Sequence, residues 1–182
     1  MAVFCELNSI DFENSILKND SIRFSKDEWI WFVDSSVTNR EEIEPILEEN
    51  SFLSEYDVVV FCAEKWDGEI GLFDLLNRPQ NAIYALGIRR QLLIKTGSFN
   101  QLLIGNTNYE FLLRAVEKGN IYAISCYAEK NEDFAPATMA YVIRKYMADL
   151  KDAGMLDSVF LQMVQLAGEY GKAEKFNQII NV

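Results

Sequence analysis

Histidine is absent from all 182 residues, which excludes Ser–His and Cys–His nucleophile systems and any zinc site built on imidazole. The three cysteines, Cys5, Cys62 and Cys126, form no Cys-x-x-Cys pair, so a thiolate metal site is also missing. Neither Gly-x-x-x-x-Gly-Lys-Ser/Thr nor Gly-x-Gly-x-x-Gly occurs, and phosphate-cradling glycine loops are therefore not signalled. From these absences the sequence predicts no cofactor and no resident metal. Any chemistry falls to carboxylates, lysines, tyrosines or hydroxyls.

Proline, with 3 residues, and glycine, with 9, leave no room for a long flexible linker. No apolar run reaches the roughly 18–20 residues of a membrane-spanning helix. Met1–Cys5 meets Glu6 at once, without the basic start of a signal peptide. The cysteines are odd in number, widely spaced and set in apolar runs, unlike a disulfide framework. Together these features predict a cytoplasmic chain with no membrane partner and with buried thiols; Lys65 is the one local cation near Cys62.

What is present in excess is negative charge, and it is unevenly placed. The chain carries a net −11. Residues 1–77 hold 5 Lys+Arg against 18 Asp+Glu, a net of −13, whereas residues 78–182 hold 12 against 10, a net of +2. A basic footprint for nucleic acid is lacking, so no nucleic-acid partner is expected. Glu41, Glu42, Glu44, Glu48, Glu49, Glu55 and Asp57 lie close together with no intervening lysine or arginine. Such density opposes folding by mutual repulsion, while a solubilising surface ordinarily mixes both signs.

The pattern of apolar residues predicts an α+β fold. A small N-terminal mixed sheet containing a βαβ-like unit is followed by a mostly helical C-terminal half. The charge step divides an acidic α/β lobe, residues 1–77, from a helical lobe, residues 78–182, packed together as one compact domain. Residues 2–7, 21–24, 29–33 and 57–62 read as strands, the last two as buried ones. Thr38 with Glu41 has the capping-box spacing for a helix over 39–50, which Pro45 interrupts. Ile83, Leu86, Ile88, Leu92 and Leu93 fall at helical spacing up to the stop at Thr96-Gly97. Asn108 is the expected cap of a helix through Lys118, and 137–152, 155–170 and a short final segment ending near Ile180 read as helices. The segment 121–129 fits either strand or helix.

Ala115-x-Glu117-x-Gly119-Asn120 and Ala167-x-Glu169-x-Gly171-Lys172 share one pattern, which resembles the helix–Gly–helix hairpin of ankyrin repeats. The resemblance covers about twenty residues each time, at a spacing unlike the roughly 33 of that family. It implies a second helix over 121–130 and no more.

Three functional expectations follow. The first is a non-enzymatic, acidic protein-binding module, an inhibitor or immunity-type protein that neutralises a basic toxin or nuclease through the seven carboxylates of 41–57. Trp29 and Trp31 on one side of their strand, with Trp66, offer either core packing or interface anchors. The second is a carboxylate-dependent, Mg²⁺-assisted enzyme centred on Asp34, with Glu64, Lys65 and Asp67 beyond the next strand, because ligands gather at the carboxyl ends of strands in open α/β sheets. Its plainer counterpart is a turn plus helix cap made by Asp34-Ser35-Ser36. The third is a structural or adaptor subunit assembling through its C-terminal helices. Arg78, Arg89, Arg90 and Lys95 could bind an anion or pair with the chain's own acidic residues. Oligomeric state is not specified by the sequence.

Overall fold

The computed structural model describes residues 2–63, 66–77, 82–125 and 134–180. The expected roles of Glu64, Lys65, Arg78 and Cys126 lie outside the described residues. The architecture is α+β, with a six-stranded mixed sheet and most of the helices in the C-terminal half. Its strands are β1 (Ala2–Leu7), β2 (Trp29–Asp34), β3 (Val58–Cys62), β4 (Gly68–Ile70), β5 (Ile83–Arg89) and β6 (Ile121–Ser125), in the spatial order β1-β2-β5-β3-β6-β4.

β1 pairs with β2, and β3 with β6, in parallel, while β5 runs antiparallel between β2 and β3. The expected strand–helix–strand unit is present, yet its two strands are not neighbours. β5 is the largest departure from the sequence expectation, which made 83–88 helical. It is a central strand, and Ile83 to Ile88 are buried on both faces. A strand covered on both sides loses the period-2 alternation that announces strands, and its apolar spacing then mimics a helix. The helix begins only at Arg90: α5 (Arg90–Thr96) stops at Gly97, as expected, with φ +78°.

Residues 9–24 form α1 (Ser9–Phe12) and α2 (Ser15–Phe24). Asn14 accepts from the Ile16 and Leu17 amides and so caps α2, which absorbs the strand expected at 21–24. α3 (Arg40–Glu49) lies where expected, but its cap is Asn39, which accepts from Glu42 N at 3.1 Å. Thr38 instead donates its hydroxyl to the Glu42 carboxylate at 2.7 Å. Pro45 is tolerated because it and Glu41, whose carbonyl loses a donor, are exposed to water. A 3-10 turn (Ser51–Glu55) follows, and α4 (Leu72–Asn77) leads toward β5.

α6 (Thr107–Ala115) precedes β6, which settles the ambiguous 121–129 segment as strand over Ile121–Ser125 and removes the helix implied by the ankyrin-like pattern. The chain ends in α7 (Pro136–Lys145), α8 (Met147–Asp152), α9 (Leu156–Glu169) and α10 (Ala173–Ile180), with Gly154 and Gly171 left-handed at the junctions. None of the described helices is long and apolar enough to cross a membrane.

Apolar side chains collect in two clusters on opposite faces of the sheet. The larger joins Ile30, Phe32, Leu86, Ile88, Phe111, Leu112, Met139, Val142 and residues of α9 and α10. The smaller comprises Trp31, Val33, Ile43, Leu53, Val59, Phe61 and Ala85 beneath α3 and the 3-10 turn.

Candidate functional site

The parallel strands β1, β2, β3 and β6 all end at one edge of the sheet, at Leu7, Asp34, Cys62 and Ser125. Ligands of open α/β sheets gather along such carboxyl edges. Asp34 is at this edge as expected, but it is fully buried. Its Oδ1 accepts from Ser36 N at 3.1 Å and from Ser36 Oγ at 2.5 Å, and its carbonyl accepts from the Val37 and Thr38 amides. Ser35 donates N–H and O–H to the Leu7 carbonyl, at 2.7 and 3.0 Å. Asp34 therefore holds the shape of a turn whose outer surface is Ser35 and Ser36, both exposed.

Asp67 reaches the same edge and accepts from the Ser125 amide at 3.3 Å. The sequence argument placed it beside Asp34 on condition that β2 and β3 are adjacent. Three inter-strand steps separate β2 from β6, about 14 Å at roughly 4.8 Å per step. These two carboxylates cannot share one metal ion. Among the described residues, no group of three or more Cys, Asp or Glu side chains could hold one.

A polar cluster unforeseen from the sequence lies where α1 and α2 meet the start of α6. Glu13 accepts from Thr107 N at 2.8 Å, from Thr107 Oγ1 at 3.1 Å and from Asn108 Nδ2 at 2.8 Å. A carboxylate 94 residues upstream thus caps the helix, where the macrodipole favours negative charge. Lys18 is completely buried. Its ammonium donates to Asn108 Oδ1 at 2.5 Å and Thr107 Oγ1 at 3.1 Å, and lies 3.9 Å from the Phe99 ring centroid. Asn106, left-handed at φ +50°, accepts from Ala135 N at 2.8 Å and ties α7 to the same corner. The only trace in the sequence is the polar triplet 106–108 before an apolar helix; Glu13 and Lys18 carried no local signal.

The acidic residues of 41–57 differ in their surroundings. Glu44 pairs with Arg40 at 2.6 Å, and Asp57 accepts from the Asn120 amide at 3.2 Å beneath Gly119. Glu42 is held by Thr38 and the cap. Glu41, Glu48, Glu49 and Glu55 are exposed and form no ion pair among the described residues. Arg89 and Arg90 meet groups of the chain itself. Arg89 donates to the carbonyls of Tyr56 and Ser54, meets Glu28 at 3.3 Å and lies over the Trp29 ring. Arg90 donates to the Asp27 and Ser25 carbonyls. Trp31 and Trp66 are core residues, whereas Trp29 is half-buried.

No protein-family model matches the sequence, and no curated protein does. Solved structures do. The fold is similar to that of S. aureus TarS residues 1–349, with a TM-score of 0.54 and 16% identity over 89% of this chain and 53% of that one. The same TarS fragment in complex with UDP-GlcNAc gives a TM-score of 0.52 and 16% identity over 84% of this chain and 52% of that one. Its complex with UDP gives 0.51 and 16%, over 88% and 51%. The chain spans about half the length of these TarS structures, 53% in the first. This likeness overturns the expectation of an acidic inhibitor or immunity-type protein: the fold is one shared with TarS, which has been solved in complex with UDP-GlcNAc.

Proposed function

We propose that the chain is a nucleotide-sugar-binding domain of glycosyltransferase type, which takes a nucleoside-diphosphate sugar along the carboxyl edge of its sheet. The supporting observation is the fold shared with TarS, whose structures include complexes with UDP-GlcNAc and UDP. The placement of the Asp34–Ser36 turn and Asp67 on that edge agrees with it. Single carboxylates here would complete a Mg²⁺ shell only together with diphosphate oxygens and water, which is how Mg²⁺ is ordinarily held beside phosphates. Sugar transfer is part of this proposal, and so is a cytoplasmic setting, in which the thiols of Cys5 and Cys62 stay reduced.

Thermal unfolding with UDP-GlcNAc, UDP and free GlcNAc, each with and without Mg²⁺, tests the proposal. A ligand at 100 times its Kd stabilises by about 2.7 kcal/mol, a rise of several degrees for a domain of this size. UDP-GlcNAc and UDP are expected to give that rise and GlcNAc alone none. Ser36→Ala should diminish it; the variant also loses the hydroxyl's hydrogen bond to buried Asp34, so its unliganded midpoint falls by a few degrees and the rise is read against each variant's own midpoint. No rise with either uridine ligand at millimolar concentration overturns the proposal.

A further inference from the structure

The two edges of the sheet are finished differently. β4 closes one with only three residues, Gly68–Ile70. β1 ends the other with six, in unbroken register with β2 from Ala2 to Leu7. The Leu7 carbonyl takes the Ser35 amide, so Val3, Cys5 and Leu7 aim their backbone groups at β2. By alternation the N–H and C=O of Phe4 and Glu6 point outward. Nothing among the described residues pairs with that side of β1. Natural edges are ordinarily blunted by lysine, proline, a bulge or an inward-facing charge. β1 has no lysine, proline or bulge, and its one charge, Glu6, is turned to the Arg40 amide at the start of α3.

Beside this open edge lies a groove of about 740 Å³. Val3, Cys5 and Leu7 form its floor, and Leu17 and Phe24 of α2 stand along its wall. Phe24 is 84% exposed, an aromatic ring in water next to an unpaired strand. A second copy of the chain satisfies both features at once. Two β1 strands meeting antiparallel about a two-fold axis at Cys5 set Phe4 of each copy opposite Glu6 of the other, which joins the outward N–H and C=O groups. Val3 then falls opposite Leu7, and no like charges meet across the pair. The axis is perpendicular to the sheet, so the two grooves merge on one side and the two α2 helices face each other across them. α2 runs back along β1, and the axis therefore turns its Lys26 end toward the Asp11 end of the other copy. Neither residue has an ion pair among the described residues. The exposed Glu41, Glu48, Glu49 and Glu55 belong to the helix and turn on the other face of the sheet, away from the groove. We infer that the chain forms a two-fold dimer through β1, which continues the sheet from one copy into the next. A six-residue strand, roughly 20 Å long, makes a small interface, so association in the micromolar range is expected. The inference is independent of the nucleotide-sugar proposal, since its readout needs no ligand.

Sedimentation velocity of the full chain in reducing buffer, from about 1 to about 200 µM, follows the association. A shift from monomer to dimer across that range is expected. Phe24→Glu should weaken it by about tenfold or more, with an unchanged unfolding midpoint at the lowest concentration. Leu161→Glu, which adds the same charge at an exposed position of α9, should leave it as it is. A short bismaleimide should join two copies through Cys5, whose Cα atoms lie about 4.5 Å apart in this register, and Cys5→Ser should lose the product. A chain that stays monomeric at the highest concentration overturns the inference. So does a dimer that Phe24→Glu leaves intact, that Leu161→Glu weakens equally, or that yields no cross-link dependent on Cys5.

Discussion

The two faces of the sheet are covered very differently. One is sealed by α6, α7 and the helices behind them, and its cluster runs unbroken from Phe12 to Phe176. The other carries only α3 and a 3-10 turn, buries a handful of side chains and keeps a cleft. Both faces derive from the same strands by alternation: Ile30 and Phe32 go to one, Trp31 and Val33 to the other. Stability is therefore concentrated on the helix-rich face.

Truncation on the two faces should expose that asymmetry most strongly. Phe111, fully buried and 4.7 Å from Phe99 between ring centroids, sits in the sealed cluster. Phe111→Ala is expected to cost about 3–5 kcal/mol in urea unfolding, and Leu53→Ala, beside the cleft, only about 2 kcal/mol. Equal losses would erase the distinction. A smaller effect tests the contact between strands on the open face. Gly87→Ala should cost about 1–3 kcal/mol because its methyl group collides with the Trp31 indole. Adding Trp31→Phe should recover part of that, and a double-mutant cycle reads the coupling.

The smallest effect appears only in alkali. Tyr109 is buried on the sealed face, donates to the Leu75 carbonyl at 3.2 Å, and burial pushes its phenol well above its ordinary value of 10.0. Burial likewise raises Tyr146. Both must stay neutral to remain folded, so their contribution is complete below pH 10 and declines as pH rises beyond it, where the unfolded chain ionises first. Urea midpoints should fall most steeply above pH 10. Tyr109→Phe should lessen that slope while losing about 1 kcal/mol at neutral pH with its hydrogen bond.

What the sequence disclosed of this fold follows from how local each cause is. β1, β2, β3 and α3 were legible because a short apolar run or a polar cap needs only its neighbours, and Gly97, Gly154 and Gly171 marked stops through their backbone freedom alone. Thr38 and Asn39 differ by one residue, and only the geometry shows which oxygen meets the Glu42 amide. β5 was misread because burial on both faces erased its alternation. Of the candidate site, Asp34 was placed at the end of its strand, whereas its burial and its distance from Asp67 depend on a strand inserted between two others. The Lys18–Asn108 and Glu13–Thr107 contacts span about ninety positions and have no local signature at all.

That inserted strand also sets the order in which the chain can close. When β2 and β3 have both been synthesised, the sheet still has a gap one strand wide, and its hydrogen bonds wait for residues 83–89. Until then two apolar strands present open edges, the condition under which chains pair with one another instead of with themselves. Assembly of the middle of the sheet is thus a late and non-local event, and slow folding is expected to accompany it.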